Sequence, residues 1–249
     1  MFEAELEDIS LLRDSIATIS ELIDETELHI KESGIEMIAS DRAVVAVVKF
    51  ELSKNAFKQY RYDNETKMGL NLINFLQILR RAGANDKLNL KLLDNKLEVV
   101  INGESTRRFV LPLIDISKEE MPPLDKLEFP ASFQINAEIL NSGIEDAELI
   151  TDSIVLSMNN DQLMMKAESD SSSTQLEMPS GTNSLKIIKI GDPVRSRYSI
   201  DYLKKILKTR KIVPQANIDL ATDYPMRISF EIPEKMNLNF VLAPRVEEG

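Results

Sequence analysis

Two stretches of this chain, 128 residues apart, carry the same pattern, and that repetition limits the folds open to it more than any other property. Ile35-Glu36-Met37-Ile38-Ala39 corresponds to Leu163-Met164-Met165-Lys166-Ala167. At the same offset Asp24 meets Asp152, Leu28 meets Leu156, Ile30 meets Met158, and Ile78-Leu79 meets Ile206-Leu207. Near the ends, Phe109-Val110-Leu111 recurs as Phe240-Val241-Leu242, at offset 131. Apolar residues coincide often, but one nearly constant spacing across separate blocks marks a duplicated unit. The alternative is two domains that merely share a rhythm of strands and helices. A length of 249 residues accommodates two domains of about 100–150 residues each.

The repeated unit opens with a strand at Phe2–Leu6. Ile9, Leu12, Ile16, Ile19 and Ile23 then recur at helical spacing and predict a helix over 9–23. Leu28 and Ile30, then Ile35, Met37 and Ala39, alternate around the turn Lys31–Gly34 and predict a hairpin, and Val44–Leu52 reads as a further strand. Asn71 is placed to cap a second helix, Leu72–Ala82, closed by Gly83. Strands at Leu88–Leu93, Leu97–Ile101 and Arg107–Leu113 follow, the first two joined by a turn at Asp94-Asn95. The second unit repeats the order: a strand at Phe133–Ile135, a helix Ala137–Leu149, strands Ile154–Met158 and Gln162–Ala167, a helix Ile200–Thr209, and strands Asn217–Ala221, Arg227–Glu231 and Leu238–Leu242. Between them, Asp115–Glu128 holds Ser117-Lys118-Glu119-Glu120 and Met121-Pro122-Pro123-Leu124, a composition suited to an extended connector. The expected organisation is a domain at 1–114, a connector at 115–129 and a domain at 130–249, each domain α+β with two helices on an antiparallel sheet.

Little in the chain asks for catalysis. With no cysteine there is no thiolate chemistry, and a reducing compartment is the easier reading. His29 is the only histidine, set between Leu28 and Ile30 on the outward face of its strand. No metal-ligand spacing and no glycine-rich phosphate loop is found, so neither metal nor cofactor is expected. Met1-Phe2-Glu3-Ala4-Glu5 lacks the basic start of a signal peptide, and no apolar run approaches the roughly 20 residues that span a bilayer, so no membrane partner is expected. The formal net charge of −11 argues against nucleic acid as a partner unless the cations are segregated. They are: Lys204, Lys205, Lys208, Arg210 and Lys211 crowd one helix against the single acid Asp201, Arg80 and Arg81 end another, and Arg13 lies on the first. A Lys-rich helix that is only a solvated face is the plainer alternative.

Met1-Phe2-Glu3-Ala4, Ser40-Asp41-Arg42-Ala43-Val44, Met68-Gly69-Leu70-Asn71-Leu72 and the near-terminal Leu242-Ala243-Pro244-Arg245-Val246-Glu247-Glu248 resemble the proliferating cell nuclear antigen family, the sliding clamps of archaea and eukaryotes, over nearly the whole chain. The resemblance is greatest to archaeal members. It implies a non-enzymatic ring of three subunits around duplex DNA, with helices lining the hole and sheets outside. The homotrimer is the favoured form and a heterotrimer the alternative. It implies loose, sequence-independent contact with the DNA backbone through Arg13, Arg80, Arg81, Lys204, Lys205, Lys208, Arg210 and Lys211. The expected clients are DNA polymerase, a clamp loader, and flap endonuclease and ligase type enzymes, docking through short peptides. Their groove is expected at Val44, Val45, Val47, Met121, Pro123, Leu124, Pro225, Val241, Ala243 and Pro244. The expected location is the cytoplasm, associated with the nucleoid, if archaeal and the nucleus if eukaryotic.

Subunits of the family join by pairing strands, here Arg107–Leu113 with a strand near Thr174–Met178, which places Arg107, Arg108, Thr174 and Leu176 at the interface. The helix Ala137–Leu149 departs from the family by carrying Glu138, Glu145, Asp146 and Glu148 and no base. These acids are expected to face a neighbouring subunit, with Glu145 and Asp146 at the same interface, and to pair with Arg80, Arg81, Arg107 or Arg108; an exposed acidic helix is the alternative. Two rival functions remain beside the clamp: an acidic protein–protein adaptor without DNA, and a carboxylate-dependent hydrolase.

Overall fold

The structure is a computed structural model that describes residues 1–117 and 123–246. Its N-terminal half runs β1 (Phe2–Leu6), α1 (Ser10–Ile19), β2 (Glu25–Lys31), β3 (Gly34–Ser40), β4 (Ala46–Ser53), β5 (Gln59–Tyr62), β6 (Thr66–Asn71), α2 (Leu72–Leu79), β7 (Lys87–Leu93), β8 (Lys96–Asn102) and β9 (Thr106–Pro112). The second half runs β10 (Ala131–Asn136), α3 (Ala137–Glu148), β11 (Ser153–Met158), β12 (Gln162–Glu168), β13 (Ser173–Pro179), β14 (Leu185–Ile190), β15 (Val194–Ser199), α4 (Ile200–Ile206), β16 (Gln215–Leu220), β17 (Met226–Ile232) and β18 (Met236–Leu242). The two series have the same order. β2 and β11 begin at 25 and 153, β3 and β12 at 34 and 162, α2 and α4 at 72 and 200, and β7 and β16 at 87 and 215, each pair 128 apart.

The contacts divide the chain into one unit of Met1–Arg42, Val48–Met121 and Glu231–Leu238, and another of Ala43–Val47, Pro122–Phe230 and Asn239–Gly249. In the first unit the strand order is β5-β1-β7-β8-β9, with β6-β2-β3-β4 as the second run. In the other unit the equivalents are β14-β10-β16-β17-β18 and β15-β11-β12-β13. The pairings are antiparallel, as in β7–β8, β8–β9, β11–β12 and β12–β13. Alternation explains the faces: Phe2, Ala4 and Leu6 of β1 are buried while Glu3 and Glu5 between them are not. α1 packs on α2, and α3 packs on α4 and on β10 through β13. Among the described residues no helix is long and apolar enough to cross a membrane.

The differences from the sequence reading have local causes. α1 ends at Ile19, yet Ile23 stays buried because a turn continues the spacing, with Ile23 N–H donating to the Ile19 carbonyl at 2.9 Å. β4 starts at Ala46 because Val44 sits at φ 55°, a left-handed conformation that no strand contains. The basic helix becomes 3-10 at Leu207–Lys211, where the Thr209 hydroxyl donates to the Ile206 carbonyl at 2.8 Å. β5, β6, β14 and β15 are strands the reading did not mark. β6 runs straight into α2, so the Asn71 cap signal hides it, and β15 is rich in Arg and Ser.

Candidate functional site

The helical cations are not equally available. Asn71 caps α2 by accepting from Asn74 N–H at 2.9 Å, and Asn136 caps α3 by accepting from Glu138 N–H at 2.9 Å. At the far end of α2, Arg80 and Arg81 are exposed, and neither side chain has an ion pair among the described residues. Arg13 is tied to Asp14 at 2.8 Å, and that bond holds its pKa above the usual value. On α4, Lys204 meets Glu148 at 2.6 Å and Lys205 meets Asp201 at 2.7 Å. Arg210 reaches Glu138 at 2.8 Å. Lys208 and Lys211 are exposed. Two of the acids on α3 thus turn toward the cationic helix of their own unit.

The acids expected to face another subunit divide. Glu138 and Glu148 are engaged as described, Glu145 accepts from Asn141 at 2.8 Å, and Asp146 is exposed. Arg107 has partners within the chain, Asp86 at 2.5 Å and the Arg81 carbonyl at 2.6 Å, and Arg108 lies 3.5 Å from Glu98.

Most of the expected groove residues belong to one unit. Ala243 N–H donates to the Val45 carbonyl at 2.9 Å, which sets the terminal tail beside the loop before β4. Val44 is 62% exposed, Val45 and Leu124 are half-buried, and Pro123 is exposed. Pro225, Ala243 and Pro244 are half-buried as well. Val47 and Val241 are buried, at 5% and 8%, and serve as floor more than as wall. Met121 lies outside the described residues. The tail is anchored twice more: Arg245 N–H donates to the Arg197 carbonyl at 2.8 Å, and its guanidinium meets Asp152 at 2.7 Å. The bond from Arg245 holds the Asp152 carboxyl below the usual carboxylate range.

The sequence reading missed two features beside this surface. A cavity of about 300 Å³ is lined by Arg195, Arg197, Asp223, Pro244 and Arg245, and the sequence leaves Arg195 and Arg197 unmarked because it leaves β15 unmarked. Arg227 lies over Phe129, 5.0 Å from the ring centroid, and Phe129 meets Tyr224 edge-on at 6.0 Å. Arg227 was read only as the start of a strand, and its contacts lie too far away in sequence for any spacing rule.

Among the strands that end a sheet in the described residues are β9, paired with β8, and β13, paired with β12. Phe109 and Leu111 on β9, like Thr174 and Leu176 on β13, are half-buried, and Arg107 shares that edge. The duplication assigns β18 as the counterpart of β9 and β4 as that of β13. Those counterparts are not open at their ends: Ala243, just after β18, bonds to Val45, just before β4, and Ser53 N–H at the end of β4 donates to the Lys235 carbonyl just before β18, at 2.8 Å.

Residues 1–120 match the family model described as proliferating cell nuclear antigen, N-terminal domain, and residues 124–245 match that of its C-terminal domain. The chain is 32% identical over 248 residues, 99% of each chain, to the DNA polymerase sliding clamp of Methanothermobacter thermautotrophicus. Identity and coverage are the same for the DNA polymerase sliding clamps of Thermococcus gammatolerans and Pyrococcus furiosus.

Proposed function

The chain belongs to the proliferating cell nuclear antigen family and is on that ground a DNA sliding clamp, a non-enzymatic processivity factor, and we propose that it closes with two more subunits into a ring around duplex DNA. The observation that carries this reading is that β9 and β13 end their sheets while their counterparts in the duplication, β18 and β4, are neighbours in one sheet. In a duplicated fold, what β18 and β4 do within one chain, β9 and β13 can do between chains, and joining them removes both exposed edges. Each subunit presents one edge of each kind, so the contact is head-to-tail, and such contacts close when the rotation permits.

A closed ring is held by topology, so it needs little affinity per phosphate and can slide. Arg13, Arg80, Arg81, Lys204, Lys205, Lys208, Arg210 and Lys211 supply loose backbone contact. The acidic surplus on the remaining surface repels the duplex and keeps it central. The groove around Val44, Leu124, Pro225 and Ala243 receives a short client peptide, of polymerase, clamp loader, nuclease or ligase, whose apolar side chains plug in while its backbone pairs with the tail. Neither an adaptor nor a hydrolase requires two similar halves.

The test is mass followed by topology. Sedimentation of the purified chain is expected to give three copies, and the ring, loaded on circular DNA, is expected to stay until the circle is cut. Three copies with no loss on linearisation would sink encirclement. A single copy that remains single when related chains are added would sink the ring.

A further inference from the structure

Resting on the partner-groove reading above, we propose that Arg227 is the positioning residue that holds the connector wall of that groove. Arg227 stands on β17 with its side chain 31% exposed. One planar cation makes three contacts there. Its guanidinium carbon is 5.0 Å from the Phe129 ring centroid, Nη2 donates to the Leu124 carbonyl at 3.3 Å, and Nη1 is 3.6 Å from Asp219, its register partner on β16.

The Leu124 carbonyl also accepts from Leu127 N–H at 3.3 Å, and Lys126 N–H donates to the Pro123 carbonyl at 3.1 Å, so Arg227 caps the single 3-10 turn at Leu124–Lys126. Among the described residues, Pro123, Leu124 and Lys126–Glu128 make no other hydrogen bond or ion pair to the rest of the unit. Further along, the connector is pinned where Lys189 donates to the Phe129 carbonyl at 3.0 Å and Gly191 N–H to the Pro130 carbonyl at 3.0 Å. The platform beneath is rigid as well. Tyr224 closes the ring stack, and its carbonyl accepts from the Tyr198 hydroxyl at 2.7 Å; burial pushes that phenol upward in pKa, so it remains a neutral donor.

The Leu124 carbonyl, and with it the turn beside the groove, is therefore tied to the Arg227 side chain. Without it, a client peptide must order the connector as it docks, and that ordering cost appears as lost affinity. Lysine cannot substitute, because an ammonium lacks the planar fork that stacks on a ring and donates sideways at once.

The experiment measures binding of a fluorescein-labelled synthetic peptide, bearing one leucine and two phenylalanines on a single helical turn, to the full chain and its variants. Exchange of the Lys126 and Leu127 amides is followed in parallel. Arg227→Ala is expected to weaken binding about tenfold and to strip protection from both amides, with oligomer mass and urea midpoint unchanged. Arg227→Lys is expected to fail as a rescue, and Phe129→Leu, which removes the stack from the other side, is expected to weaken binding less than additively with Arg227→Ala. Unchanged affinity, retained amide protection, or full rescue by lysine would overturn the inference. Val241→Arg separates it from the groove reading. If that variant still binds, or the native chain never does, the groove reading falls and this inference with it. If Val241→Arg abolishes binding while Arg227→Ala does not weaken it, this inference alone fails.

Discussion

At Gly69 on β6 a methyl group would stand 1.9 Å from the Ile114 carbonyl oxygen, because the two backbones touch there: Ile114 N–H donates to the Gly69 carbonyl at 3.0 Å. No other residue fits without moving one chain off the other, and overpacking of this kind costs about 1–3 kcal/mol or more. Gly69→Ala is expected to lower the urea midpoint clearly; a midpoint that does not move means the close approach is absent. Asp152 presents a milder case. Its pKa is depressed, chiefly by the bond from Arg245, so its contribution is complete above the unfolded value of about 4 and is lost as pH falls through the folded value. The pair is well exposed and its effect on global stability is small. The local effect is readable. Asp152→Asn at neutral pH, or acidification of the native chain below about pH 4, is expected to speed exchange of the Arg245 amide several-fold while the urea midpoint hardly shifts.

At the scale of elements, α3 and α4 form an ion-paired couple rather than an acidic and a basic surface. Glu138 and Glu148 draw Arg210 and Lys204 sideways, which leaves Lys208 and Lys211 as the more exposed cations of that helix. Such exposed pairs contribute about 0–1 kcal/mol each to stability, so their removal costs the fold little. On the proposed DNA contact their effect on binding is expected to be larger, because each cation released to a phosphate steepens the dependence on salt by about 0.9 in log–log slope. The double variant Glu138→Gln, Glu148→Gln is therefore expected to bind duplex DNA several-fold more tightly at low salt, with a steeper slope and nearly the same melting temperature. A slope identical to the native protein's would mean that Lys204 and Arg210 do not reach the duplex.

For the whole molecule the proposed ring would be joined through the sheet-ending strands β9 and β13. Phe109 and Leu111 lie half-buried at one edge, Thr174 and Leu176 at the other, so each edge carries apolar surface awaiting cover. Phe109→Asp is expected to reduce the sedimenting mass to one chain and to abolish retention on circular DNA. The charge lies outside the main core, so circular dichroism is expected to stay native. An assembly of unchanged mass would place the subunit contact elsewhere.

The sequence alone determined the duplication, the α+β class, the helix starts at Leu72 and Ala137, and the strands whose buried residues alternate. These depend on residues within a few positions of one another, or on one constant offset, so they can be read in one dimension. Tertiary structure decided the rest. That Glu138 would meet Arg210, that Arg227 would lie on Phe129, and that Gly69 would press on Ile114 depends on how strands and helices stack. The same holds for β9 and β13, which became edges only through the order of strands in the sheets. Partners distant along the chain are chosen by packing, and packing minimises the free energy of the whole set of contacts, which no local pattern of residues encodes.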